Sequence, residues 1–145
     1  LQIKLKLINM LNVLNDHATN LSSAFELEGE EGQFEYLIDI GKSGKKFEES
    51  DKIENNKMSG CLAQVWIKFS KEGDSNFFEG DSDALIVRGL VKILTDALSG
   101  LTDKEIKDLK HDNVNKLRIG TSLSARRQVG MIAMIDHIKK LTKVK

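Results

Sequence analysis

Gln64-Val65-Trp66-Ile67-Lys68-Phe69, then Lys71-Glu72-Gly73-Asp74-Ser75-Asn76, then Phe77-Phe78-Glu79, is the stretch on which the fold turns. Val65, Ile67 and Phe69 alternate with Gln64, Trp66 and Lys68, and alternation at period two buries one face of a strand. The middle block gathers turn formers. Phe77 to Glu79 is a second, short strand, so residues 63–79 are predicted to form a hairpin with a loop longer than two residues. Asp81-Ser82-Asp83 follows, three N-cap candidates in a row. Ala84 to Leu98 is apolar on most faces, with Arg88, Lys92 and Asp96 marking its wet edge, and Ser99-Gly100 ends it. That pattern predicts a central, largely buried helix.

On the N-terminal side, Leu7, Leu11, Leu14, Ala18 and Leu21 recur at helical spacing, predicting an amphipathic helix over roughly 4–24. It is either a packing helix or a partner-binding arm. Glu26 to Gly32 reads as an acidic linker. Phe34, Leu37, Ile38 and Gly41 share a face of a short second helix that Gly41 or Gly44 would end. Residues 45–59 are charged and aperiodic, a long loop that leads to Cys61. On the C-terminal side, Thr102-Asp103-Lys104-Glu105 is a capping box, residues 110–123 read as irregular, and Ser124 is the expected cap of a last helix. Its stripe is Met131, Met134, Ile135, Ile138 and Leu141. Helices, a small antiparallel sheet, then helices make an α+β domain, with 1–25 as an N-terminal helix and 26–145 as a single domain.

The 145 residues suit one domain, and 40% hydrophobic content supplies its core. Lysine plus arginine and aspartate plus glutamate number 22 each, so no basic field gathers nucleic acid. No apolar run reaches a membrane span. Lysines interleave with apolar residues over Leu1 to Leu7, unlike the single apolar block of a signal peptide.

Cys61 is the only cysteine. A lone thiol closes no internal disulfide and supplies too few thiolates for a typical zinc or iron–sulfur site. It suits a reducing compartment such as the cytosol. Free cysteines are mostly buried and inert, but one beside Gly60, between a long loop and a strand, is a candidate nucleophile or sulfur carrier. Asp81 and Asp83 are helix caps or, two residues apart, an acid/base pair. His17, His111 and His137 show no ligand spacing, although His111 is a candidate base for Cys61. Arg126-Arg127 falls near the start of the last helix, where the dipole disfavours cations, which suggests another use for one of them.

Asn56-Lys57-Met58-Ser59-Gly60-Cys61-Leu62-Ala63-Gln64-Val65-Trp66 resembles the active-site segment of SufE-type cysteine desulfuration proteins. Glu79-Gly80-Asp81-Ser82-Asp83-Ala84 resembles the same family's Gly/Ala-Asp-Ser-Asp-Ala helix start. Phe34 to Lys42 and Leu123 to Met131 resemble its first and last helices, placing the family arginine at Arg127. Ala63 stands where serine is usual, Ala125 where proline is, and Glu30 where tryptophan is common. The resemblance implies a SufE/IscU-like fold: a small antiparallel sheet packed against helices. It implies a sulfur-transfer partner protein rather than a stand-alone enzyme, taking persulfide sulfur onto Cys61 from a cysteine desulfurase of the SufS/CsdA type. The sulfur then passes to a SufBCD-type iron–sulfur scaffold. Pyridoxal phosphate belongs to the desulfurase, and the acceptor needs no cofactor or metal. Gly60, Gln64, Trp66, Asp81, Asp83 and Arg127 are its expected supporting residues, with Asp81 and Asp83 fixing the facing helix start and Arg127 pairing with one of them or meeting the partner. The implied setting is the bacterial cytoplasm, with an organellar stroma or matrix left open. A regulatory binding module and a single-thiol redox sensor are the alternatives.

Overall fold

A computed structural model describes residues 2–59, 63–110 and 121–143, with side chains from residue 5 and, in the last segment, from residue 129. The alternating stretch forms an antiparallel sheet in the order β1 (Lys57–Met58), β2 (Val65–Glu72) and β3 (Ser75–Ser82). Glu72 pairs directly with Ser75, so the hairpin loop is the two residues Gly73-Asp74, shorter than the sequence suggests. Gly73 has φ +58° and Asp74 a negative φ, the pattern of a type II′ turn. The polar residues read as loop are ladder residues because Asn76 is pinned: its Nδ2 donates to Leu101 O (3.0 Å) and Asp103 Oδ1 (2.8 Å). Val65, Ile67 and Phe78 turn one face of the sheet into the helix-lined core, where Phe69 stacks on Phe78 at 5.5 Å.

The first helical element, α1 (Gln2–Ser43), is two arms joined at Gly29, whose φ of 65° no other residue type adopts readily. The arms run back along each other. His17 Nδ1 lies 2.7 Å from Tyr36 Oη, and Gln33 Nε2 donates to Leu21 O at 3.0 Å. The acidic linker expected over 26–32 is thus helix on both sides of one glycine. Met10, Leu14 and Leu21 of the first arm and Leu37 of the second are all buried in the main core.

Helix α2 (Leu85–Leu98) is buried along most of its length, as its pattern predicts. Its wet edge is not where the sequence puts it: Arg88 is 8% and Lys92 9% exposed, and only Asp96 of the three is exposed. The N-cap is Ala84 and not one of Asp81-Ser82-Asp83, although Ser82 Oγ accepts from Ala84 N at 3.2 Å; Asp81 and Ser82 belong to β3. Gly41 does not end its helix either. It sits where α1 crosses α2: a Cβ on Gly41 would stand 2.8 Å from Leu85 O, and one on Gly89 would stand 2.1 Å from Leu37 O. Backbone meets backbone there. Gly89→Ala is therefore expected to cost about 1–3 kcal/mol through overpacking, read as a lower urea midpoint at unchanged slope.

Helix α3 (Asp103–Lys107) opens with the predicted capping box, Thr102 with Glu105. Helix α4 (Thr121–Lys143) starts before Ser124, which is an interior residue and not its cap. Met131, Met134, Ile135 and Ile138 are its buried stripe. Lys139 Nζ donates to Leu109 O, tying α4 to the end of α3.

Candidate functional site

Met58 pairs with Val65, so residues 59–64 connect β1 to β2, and Cys61 lies on that connection. Gly60 and Cys61 themselves lie outside the described residues. The connection's C-terminal end is held firmly. Gln64 N donates to Asp83 Oδ1 at 3.0 Å, while Gln64 O accepts from Ser82 Oγ (2.7 Å) and Asp83 N (3.3 Å). The register explains this: Val65 faces Ser82 and Trp66 faces Asp81. Two strings about twenty residues apart in the chain thus become neighbours across one ladder.

Asp81 is fully buried, at 0% exposure, and its carboxylate is crowded with donors. Oδ2 accepts from Phe47 N (2.9 Å), Oδ1 accepts from Ser82 N (2.8 Å), and Arg88 Nε stands 2.6 Å from Oδ1. Burial pushes the carboxyl up, but the Phe47 and Ser82 N–H groups, with Arg88 and Lys92 beside them, outweigh it and hold it below the usual range. Both of its oxygens are thus taken up by structural donors, and the carboxylate has no proton to give as an acid. Arg88 also donates from Nε (3.2 Å) and Nη2 (2.9 Å) to Ser82 O, bracing the residue that holds Gln64. Burial pushes the Lys92 ammonium down, against the pull of Asp81. Its Nζ donates to Gly80 O (3.0 Å) and Lys45 O (2.5 Å).

Residues 44–56, part of the long loop of the sequence, lie beside Asp81 and the Trp66 face of β2. Phe47 is buried, and Lys52 Nζ sits 5.5 Å from the centroid of the Trp66 ring. Lys68 Nζ is 5.2 Å from the Phe47 ring centroid and 3.3 Å from Asp51 Oδ2. Trp66 is 6% exposed.

Gln64, Trp66, Asp81 and Asp83 are therefore brought together beside the Cys61 connection. Arg127 lies on α4 with its side chain outside the described residues, and the cation placed on Asp81 is Arg88. His111, and with it the Cys61–His111 pair, also lies outside them, while His17 and His137 sit on α1 and α4. Sequence reasoning missed Arg88, Lys92, Ser82 and Phe47. Two cations four residues apart on a helix apolar all round were the available signal. Among the described residues no three of His, Cys, Asp or Glu converge as a metal site, and no helix is long and apolar enough to cross a membrane.

Helices on one face of a three-stranded antiparallel sheet, with a thiol-bearing connection between the first two strands, define an α+β sandwich of known type. The solution structure of a hypothetical protein from Thermus thermophilus shares this fold, with a TM-score of 0.61 at 14% identity, covering 86% of this chain and 93% of that one. The chain belongs to the SufE family, whose model, described as an Fe-S metabolism associated domain, matches residues 19–142. An uncharacterised SufE-like protein of Rhizobium etli is 36% identical over 124 residues, covering 82% of this chain and 84% of that protein. SufE-like protein 1, chloroplastic/mitochondrial, of Arabidopsis thaliana is 32% identical over 109 residues, covering 74% of this chain and 29% of that protein. The family places the chain in iron–sulfur metabolism.

Proposed function

We propose that this protein accepts sulfur from a pyridoxal-phosphate cysteine desulfurase of the SufS/CsdA type, stimulates that enzyme, and delivers the sulfur to a SufBCD-type scaffold for iron–sulfur clusters. The observation that carries this reading is the convergence of Gln64-Val65-Trp66 and Gly80-Asp81-Ser82-Asp83 at one end of the Cys61 connection, in a chain of the SufE family. The reaction is thiol–persulfide exchange. The Cys61 thiolate attacks the outer sulfur of the desulfurase persulfide, and a new S–S bond forms to Cys61. The bond between the outer sulfur and the desulfurase cysteine breaks, its electron pair leaving on that cysteine as thiolate. The persulfide proton travels with the outer sulfur or exchanges with water. No net oxidant or reductant is consumed, so the acceptor needs neither metal nor cofactor. A reducing compartment, the bacterial cytoplasm or an organellar stroma or matrix, keeps Cys61 as a free thiol.

The test is to incubate the protein with a desulfurase, pyridoxal phosphate and cysteine and to weigh it intact. A gain of one or more sulfur atoms, reversed by dithiothreitol and mapped to the Cys61 peptide, is the expected result. No gain in a mixture where the two proteins demonstrably form a complex sinks the carrier role. Oxidant-dependent modification without desulfurase would instead identify a redox sensor.

A further inference from the structure

A cavity of about 530 Å³ lies between the first arm of α1 and α3, a volume that suits a small organic molecule. Leu7, Met10 and Leu11, spaced to share one face of the arm, line it together with Leu109, just past α3. Thr102 also lines it and bridges Ser75 beside the β2–β3 turn. Gln64 and Ser82 sit at the opposite end of the same ladder. At 3.3 Å per residue the strand between the two ends spans roughly 20 Å, so this cavity is separate from the Cys61 connection.

Its walls are tied in place. Lys6 Nζ donates to Ser75 Oγ (2.9 Å), fastening the arm to the hairpin turn. Lys71 Nζ (2.7 Å) and Asn76 Nδ2 (2.8 Å) donate to Asp103 Oδ1 and fix the start of α3, while Lys139 Nζ holds Leu109 O. A cavity built this way needs little ordering to accept a ligand. One wall group is only half used. Glu105 is 5% exposed, and its Oε1 accepts from Thr102 N at 2.9 Å in the capping box. Its Oε2 is buried, and among the described residues no donor reaches it. Native folds pair nearly all buried acceptors, so an orphan in a cavity wall points to a donor from outside the chain. The charges around the cavity balance, Lys104 and Lys110 against Asp108 and Glu105, so net charge selects neither sign. Selection falls to the free carboxylate oxygen, which accepts hydrogen bonds.

We propose that this cavity binds a small molecule with an apolar body and an ammonium head. The body packs against Leu7, Met10, Leu11 and Leu109, and the head donates to Glu105 Oε2. An ammonium is preferred to a hydroxyl because a charge-assisted hydrogen bond is the stronger one. A carboxylate head is disfavoured because it brings a second acceptor against the first. The site goes beyond the sulfur-carrier reading and does not rest on it, since binding involves neither sulfur nor Cys61.

The experiment titrates the full chain, labelled with nitrogen-15, with hexylamine, hexanol and hexanoate in turn at neutral pH and follows its amide resonances. The expected result is saturable shifts at Leu7, Leu11, Glu105 and Leu109, with hexylammonium binding about tenfold or more tighter than hexanol and hexanoate weakest. Glu105→Gln keeps the capping box, because glutamine serves at that position as glutamate does. Its oxygen still accepts from Thr102 N, and its amide NH₂ then takes the place of Oε2, a donor where an acceptor stood. The variant is expected to lose the preference for hexylammonium and to bind hexanoate more tightly than the amine. Absence of saturable shifts with hexylamine overturns the proposal. Equal binding of all three molecules by the wild type does so too, reducing the cavity to an apolar surface. Hexanoate binding tightest to the wild type overturns it in favour of the rim lysines, and a Glu105→Gln chain that still prefers hexylammonium removes Glu105 from the site. The wild-type ranking decides by itself should the variant fold poorly.

Discussion

Cys61→Ser is expected to abolish sulfur uptake and to return desulfurase turnover to the rate of the enzyme alone. The substitution changes one atom, from sulfur to oxygen. A free thiol ionises with a pKa of about 8.5, so a useful fraction is thiolate near neutral pH. A serine hydroxyl is not appreciably ionised there, and its oxygen cannot form the S–S bond on which persulfide exchange depends. No other side chain can substitute, because the chain holds one cysteine. The loss should therefore be complete in intact-mass spectra, with binding to the desulfurase retained. The measurement that checks it is alanine or sulfide release by the desulfurase with wild-type and variant acceptor. Stimulation that survives the substitution would make the protein a regulatory binding module.

Asp81→Ala is expected to cost about 3–5 kcal/mol of unfolding free energy, the usual result of removing one partner from a buried ion pair. Arg88, at 8% exposure, would be left as a buried cation beside buried Lys92, and Phe47 N would lose its acceptor. That is a large share of the roughly 5–15 kcal/mol that holds an ordinary domain together. Asp81→Asn should cost less, because an amide oxygen can still accept from Phe47 or Ser82. The pH dependence has a definite sign. The folded Asp81 carboxyl lies below its unfolded value, so its stabilisation is complete above the unfolded pKa of about 3.9 and is lost as pH falls through the lower folded value. Urea midpoints measured at neutral pH and on the acid limb should therefore converge between wild type and Asp81→Asn as acid is added. A gap that persists undiminished below the folded pKa would contradict this assignment.

Much of this was legible in the chain. Alternation at Val65, Ile67 and Phe69 marked the strand that carries the sheet, and the Thr102 box and the Met131–Ile138 stripe marked the right helices. These signals are local: a few consecutive residues contain both the pattern and its cause. The misreadings share a different origin. Lys71 to Asn76 looked like a loop because its residues favour turns, yet Asn76 is drawn into the ladder by partners at Leu101 and Asp103. Of the two glycines that could stop the helix, Gly44 directly follows its last residue, Ser43, whereas Gly41 makes room for the α2 backbone. Arg88 and Lys92 looked solvated because they are charged. Both are buried because Asp81 and the carbonyls of Ser82, Gly80 and Lys45 receive them.

By itself the sequence determined that there is one thiol, that it stands before a strand, that the domain is α+β, and that two short strings mark it as SufE-like. Composition and periodicity are properties of the chain, and they survive without a fold. Tertiary structure alone decided that those strings pair at one end of the Cys61 connection, that a buried Asp81 with Arg88 and Lys92 braces that end, and that Phe47, from the loop ahead of the other end, donates its N–H to the same Asp81. Each of these joins residues far apart in sequence. A buried charge is stable only where its partner is delivered, and delivery is a matter of register and packing that no local pattern records.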